Sequence, residues 1–194
     1  MSTLQQPRCS SSMLSRRLLT NDQLHQLLSI AKEDPRLQDL FDVISIVSCT
    51  GIRLRELANL RWVDIDFPNS RLVIASPKNS NVRYVPFEST TSEILEARRS
   101  RNPASQFVFG DKPVALLNRV VHQLRNVGGR IGAGPVSMHI LRRTFFMRLM
   151  AAGADSLMLM SIGGYRPLSL KCFLNHTQMH ESAVRYPKQV EEQL

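Results

Sequence analysis

The chain is short of the features that mark several large protein classes. Its 194 residues hold three cysteines, Cys9, Cys49 and Cys172. They are odd in number and far apart, with neither a disulfide-framework pattern nor zinc-ligand spacing. A reducing, cytosolic compartment suits them. No apolar run approaches the roughly 20 residues that a membrane span requires, so no membrane partner is expected. Arg8, Arg16 and Arg17 near the N-terminus have no clean apolar stretch beside them, and a signal peptide is not supported. Internal repeats are absent, and biased composition is confined to the Ser-, Gln- and Arg-rich residues 1–17, expected to be a flexible tail. Acidic residues are scarce as well, 16 against 25 Lys and Arg, for a net charge of +9. Such a surplus favours a polyanionic partner, of which nucleic acid is the commonest.

What is present suits one compact domain. Hydrophobic residues make up 43% of the chain, and the length allows a proper core. Thr20-Asn21-Asp22-Gln23 has the form of a capping box, and Leu24, Leu27, Leu28 and Ala31 follow at helical spacing as far as Asp34-Pro35. Further helices are expected over 37–49, 53–60, 92–99, 114–127, 139–152 and 156–162, with more helix at the C-terminal end. The 71–75 and 83–87 segments read as two strands of a β-hairpin, with Lys78-Asn79-Ser80-Asn81 between them. Gly128 to Pro135 reads as a loop, and Gly153 closes the helix before it. The fold class is therefore α+β, mostly α-helical with a small antiparallel sheet.

Basic side chains capable of gripping a phosphate are split across distant segments. Arg53 stands in Thr50-Gly51-Ile52-Arg53-Leu54-Arg55-Glu56-Leu57, His139 and Arg142 in His139-Ile140-Leu141-Arg142-Arg143-Thr144, and Lys78 in the hairpin. Converging, they would cradle a pentacoordinate phosphate, because guanidinium forks match phosphate oxygens and imidazole moves protons near neutral pH. Taken singly, each reads as an ordinary solvated charge. Their order, together with Leu60-Arg61-Trp62-Val63-Asp64-Ile65-Asp66, Arg83-Tyr84-Val85-Pro86-Phe87 and Gly153-Ala154-Asp155, closely resembles the catalytic domain of the tyrosine recombinases, the phage integrase family. The resemblance runs from about Arg17 to the C-terminus. It implies domain bounds of 18–194, without the N-terminal core-binding domain that full-length members carry.

The resemblance also implies roles. Arg53 and Arg142 would bind the non-bridging oxygens of the scissile phosphate. Lys78 would protonate the leaving 5′ oxygen, His139 would assist proton transfer, and Glu56 would orient groups behind Arg53. The alternative for Glu56 is a surface carboxylate paired with Arg55 or Arg61. Tyr165 falls where relatives carry a His or Trp that donates to a phosphate oxygen. Relatives show a Leu-Lys-x-Tyr-Leu pattern at the nucleophile; here the chain reads Leu170-Lys171-Cys172-Phe173-Leu174. Phe173 has no hydroxyl and forms no phosphotyrosine bond. Tyr186 and Tyr165 remain alternative nucleophiles, while Tyr84 reads as structural. His176 and His180 could pair on a metal, with surface histidines as the plainer reading. Met138, Met147, Met150, Met158 and Met160 read as core filling.

The family implies strand cleavage and rejoining by transesterification without metal or nucleotide cofactor. The partner would be double-stranded DNA, bound by a homo-tetramer on paired sites and by a monomer without DNA, in the cytoplasm of a bacterium or phage host. Two classes of function follow: a site-specific recombinase domain, or a cleavage-incompetent DNA-binding protein that occupies sites or assembles with active partners. A type IB topoisomerase-like nicking enzyme shares the residue set, but Thr50-Gly51-x-Arg53-x-x-Glu56 and the small size argue against it.

Overall fold

The computed structural model of the chain describes residues 18–75 and 82–165. Lys78, Phe173, His176, His180 and Tyr186, and the expected C-terminal helix, lie outside the described residues. The described part contains helices α1 (Asn21–Glu33), α2 (Gln38–Thr50), α3 (Leu54–Ala58), α4 (Ser89–Arg101), α5 (Pro113–Arg130), α6 (Met138–Ala151) and α7 (Ser156–Gly163). Strands β1 (Ile65–Asp66), β2 (Arg71–Ala75) and β3 (Val82–Pro86) form one antiparallel sheet in the order β1-β2-β3. Among the described residues no helix is long and apolar enough to cross a membrane.

Local chemistry accounts for the element ends. Thr20 caps α1 through its side chain while Gln23 reaches back to the Thr20 N–H, both at 3.1 Å. Asp155 caps α7 by accepting from the Met158 N–H at 2.7 Å. In the sheet, Leu72 pairs with Val85 and Ile74 with Arg83. Leu72, Ile74 and Val85 are buried while their neighbours face outward, the alternation of a one-sided sheet.

Helix α2 is the axis of the core. Leu40, Val43, Ile44, Ile46 and Val47 are all buried, and α1, α4, α5 and α6 pack around them. An element apolar on nearly every side has to be wrapped by others. Its buried polar groups are matched: Ser48 donates to the Ile44 carbonyl at 2.6 Å. Asp42, 1% exposed, accepts from Arg98 at 2.7 Å, Arg101 at 2.6 Å and Gln38 at 2.9 Å. A long-range bond from the Leu19 N–H to the Thr144 hydroxyl, at 3.0 Å, ties the start of the described chain to α6.

The structure departs from the sequence reading in three places. Ile65–Asp66 adds a third, two-residue strand, pinned by Arg71 donating to Asp66 at 2.8 Å. Helix α4 begins three residues early, at Ser89, because Thr91 and Ser92 donate backbone bonds to the Glu88 carbonyl. Helix α5 runs on to Arg130 through two glycines expected in a loop. Burial of Val127 and Gly128 against the core outweighs the low helix propensity of glycine there.

Candidate active site

Three helix ends meet at one point. Helix α2 stops at Thr50, and Gly51 turns the chain in the left-handed region at φ 60°. A β-carbon at Gly51 would lie 2.4 Å from Cδ1 of Phe145. The turn delivers Arg53 to the N-terminal edge of α3. The Arg53 backbone N–H and its Nη1 each donate to Glu56 at 2.9 Å, and its Nη2 donates to the Gly164 carbonyl at 2.9 Å. Its side chain remains 39% exposed, within reach of a ligand.

Arg142 arrives from α6 and is 7% exposed. It donates through Nη1 to the Gly51 carbonyl and through Nη2 to the Gly163 carbonyl, the latter at 2.8 Å. The rings of Phe146 and Tyr165 flank its guanidinium at 4.8 and 4.9 Å. Burial pushes the Arg142 pKa below its ordinary value, and the Arg53 charge pushes the same way; Tyr165, by charge and a side-chain hydrogen bond, and Glu56 oppose them. Both of these hydrogen bonds go to neutral carbonyls, so Glu56 and Tyr165, not a bonded carboxylate, offset the buried charge.

Tyr165 forms the wall shared by both arginines. At Gly163 a β-carbon would lie 2.4 Å from the Tyr165 ring, so glycine there lets the ring fold back. It stands edge-on to Phe146 with centroids 5.2 Å apart, and Arg53 lies 5.8 Å from its centre. His139 sits in the first turn of α6, exposed, one turn before Arg142 and on the same side of the helix. The structure thus brings Arg53, Glu56, Arg142 and Tyr165 together, with His139 one turn away. Glu56 pairs with neither Arg55 nor Arg61; Arg61 is engaged by Asp64 at 3.1 Å.

Arg83 belongs to this cluster, and the sequence reading used it only as part of a strand motif. Its Nη2 lies 2.6 Å from Glu56 and its Nε donates to the Ile162 carbonyl at 2.9 Å. One signal was available: Arg83 stands two residues before buried Val85, so both face the core side of β3. Burial raises the Glu56 pKa, but the hydrogen bonds and charge of Arg83, with the Arg53 bonds, outweigh it and hold the carboxyl below its ordinary value. The cluster therefore sets three guanidinium groups, Arg53, Arg83 and Arg142, against one carboxylate, Glu56. Among the described residues no three His, Cys, Asp or Glu side chains gather to hold a metal.

Comparison with known proteins gives the family. The model of the phage integrase family matches residues 17–179. The chain belongs to the phage integrase family. It is 28% identical over 181 residues to the tyrosine recombinase XerC of Roseiflexus sp. (strain RS-1), covering 86% of this chain and 57% of that protein. It is 32% identical over 139 residues to XerC of Anoxybacillus flavithermus, covering 66% of this chain and 46% of that protein. The chain thus spans about half the length of these curated relatives. Among solved structures, XerA recombinase superposes with a TM-score of 0.69 at 21% identity, covering 88% of this chain and 66% of that one. XerH bound to palindromic difH substrate, in a post-cleavage complex, gives 0.70 at 18% identity, covering 86% and 51%. Family and fold together make this a tyrosine-recombinase catalytic domain, with the mostly helical α+β architecture and small antiparallel sheet expected from the sequence.

Proposed function

We propose that the chain is a DNA-binding recombinase catalytic domain whose cradle grips a backbone phosphate but whose nucleophile is absent. The supporting observation is the meeting of Arg53 and Arg142, from segments 89 positions apart in the sequence, beside Tyr165, with Arg53 part-exposed and Arg142 buried. Arg53 and Arg142 take the non-bridging oxygens. A phosphodiester carries one negative charge and its pentacoordinate transition state two, which matches the surplus of two positive charges in the cluster. Tyr165 donates its hydroxyl to a phosphate oxygen. His139 moves protons at the rim, and Lys78 protonates the 5′ oxygen as the P–O bond breaks.

In the complete reaction a tyrosyl oxygen attacks phosphorus, the 5′ oxygen leaves, and a second 5′ hydroxyl later reverses the step. Phe173 stands where the hydroxyl is required, so the chain as written holds DNA without a covalent step. The partner is double-stranded DNA, with assembly as a tetramer on paired sites. XerH bound to its difH substrate and the Tn1549 transposon integrase bound to transposon right end DNA share this fold, which supports the DNA partner. The charge distribution supports it too: Asp34, Asp39, Asp42, Glu56, Asp64 and Asp66 are each engaged by arginine, leaving the basic surplus for a polyanion.

The test begins by selecting a binding site from a random duplex pool. Covalent capture is then run on a nicked suicide version of that site, with the chain and its Phe173→Tyr variant in parallel. The expected result is an adduct only with Tyr restored. An adduct with the chain as written overturns the assignment of position 173 and points to Tyr186. Failure of both to bind any duplex overturns the DNA-binding reading.

A further inference from the structure

We propose that Arg83 is a positioning residue for the phosphate cradle: it fixes Glu56 so that the Arg53 guanidinium stays turned toward the anion. This rests on the reading above that the cradle binds phosphate. Glu56 receives three donors. Oε1 takes Arg53 Nη1 at 2.9 Å, while Oε2 takes the Arg53 backbone N–H at 2.9 Å and Arg83 Nη2 at 2.6 Å. The Arg83 bond is the shortest of the three and occupies the oxygen that would otherwise be open to the second prong of the Arg53 fork. A carboxylate facing a lone guanidinium takes it bidentately. Without Arg83, Arg53 would close onto Glu56 with both prongs, giving up its bond to the Gly164 carbonyl and turning its free edge inward.

Arg83 is itself held in place. Its side chain is 14% exposed, against 39% for Arg53, so it sits behind the cradle rather than at its rim. Its Nε donates to the Ile162 carbonyl in the last turn of α7 at 2.9 Å, filling an acceptor that a helix end leaves open. One planar fork thus joins β3, the start of α3 and the end of α7. Lysine cannot reproduce this, since a single ammonium does not span the two acceptors in fixed geometry.

The experiment is titration of the full chain with inorganic phosphate, followed through arginine side-chain Nε–H resonances and paired with thermal melts. Arg83→Lys and Arg83→Gln are compared in the native and Glu56→Gln backgrounds. Arg83→Lys is expected to weaken phosphate binding about tenfold and to shift the Arg53 resonance, a loss typical of groups that orient a ligand-binding residue. In the Glu56→Gln background the same change is expected to cost less than about twofold, because Arg83 acts through Glu56. Affinity of Arg83→Lys within twofold of the native chain overturns the proposal. So does an equal loss in both backgrounds, which would mean that Arg83 acts by its own charge. Should Arg83→Gln lose its melting transition, Arg83→Lys carries the comparison. If the native chain binds no phosphate, or Arg142→Gln binds it unchanged, the cradle reading itself falls, a result distinct from failure of Arg83 alone.

Discussion

Gly51→Ala tests the turn on which the cradle is built. Gly51 stands at φ 60°, where a β-carbon costs an L-residue about 1–2 kcal/mol. That carbon would also lie 2.4 and 2.8 Å from Phe145 and 2.9 Å from the Phe146 ring. Phe146 is fully buried and cannot swing aside, so overpacking adds about 1–3 kcal/mol. Together the loss is about 3 kcal/mol, which for a domain of this size corresponds to a fall in Tm of roughly 6–12 °C. The carbonyl of Gly51 anchors Arg142, so phosphate affinity should fall in the same variant. Urea unfolding gives the stability and phosphate titration the affinity. A loss below about 1 kcal/mol would refute the steric reasoning, and full affinity in a destabilised variant would refute the link to Arg142.

Two further perturbations probe the ion networks. Asp42→Asn removes the charge that holds Arg98 inside the core and draws the exposed Arg101 onto it. Asp39 still touches Arg98 at 2.9 Å, so a loss of about 2–4 kcal/mol is expected rather than the full cost of an unpaired buried cation; urea unfolding with a change under 1 kcal/mol would contradict it. Glu56 has a folded pKa below its unfolded value. Its stabilisation is therefore complete above the unfolded value and is lost as pH falls through the folded one. The stability gap between the native chain and Glu56→Gln should be constant from pH 6 to 8 and shrink below about pH 4; a gap that persists unchanged to pH 3 would overturn the assignment.

Which parts of this were legible in the sequence follows from the range of the interactions. The capping box at Thr20 and the hairpin strands are set within a few residues, and they appear where spacing and turn chemistry put them. Arg53, Glu56, Arg142 and Tyr165 were legible because linked motifs carry them in a fixed order. Arg83 was not: its partners are Glu56 and Ile162, 27 and 79 positions away, and its place two residues before Val85 tells which face of β3 it takes but not what it meets there. The extension of α5 through Gly128 and Gly129 was hidden for a similar reason. Local propensity argues for a loop, and only the packing of Val127 and Gly128 against the rest of the fold reverses it. The two-residue strand β1 has too short a pattern to read, and exists through its pairing with β2.

Arg98 and Arg142 are both buried arginines at 7% exposure, in opposite surroundings. Arg98 donates to Asp39, Asp42 and the Val108 carbonyl, lies over the Phe109 ring at 4.2 Å, and belongs to the scaffold. Arg142 bonds the carbonyls of Gly51 and Gly163 and is repelled by Arg53. Replacing it by methionine removes a desolvated cation and that repulsion, and lets an apolar chain lie against Phe146 and Tyr165. Against this stand two carbonyls left without their donor, at about 1–3 kcal/mol each. The opposing effects are each several kcal/mol, so Arg142→Met is expected to change stability by no more than about 1 kcal/mol while abolishing phosphate binding. Arg98→Met should unfold the domain more readily, because it leaves buried Asp42 with only Arg101 and Gln38, leaves Asp39 with only Arg119, and takes the donor from the Val108 carbonyl. Urea unfolding of both variants beside phosphate titration decides the matter. A loss above about 3 kcal/mol in Arg142→Met would show that Arg142 stabilises the fold as Arg98 does, and would remove the argument that its charge is kept for an anion.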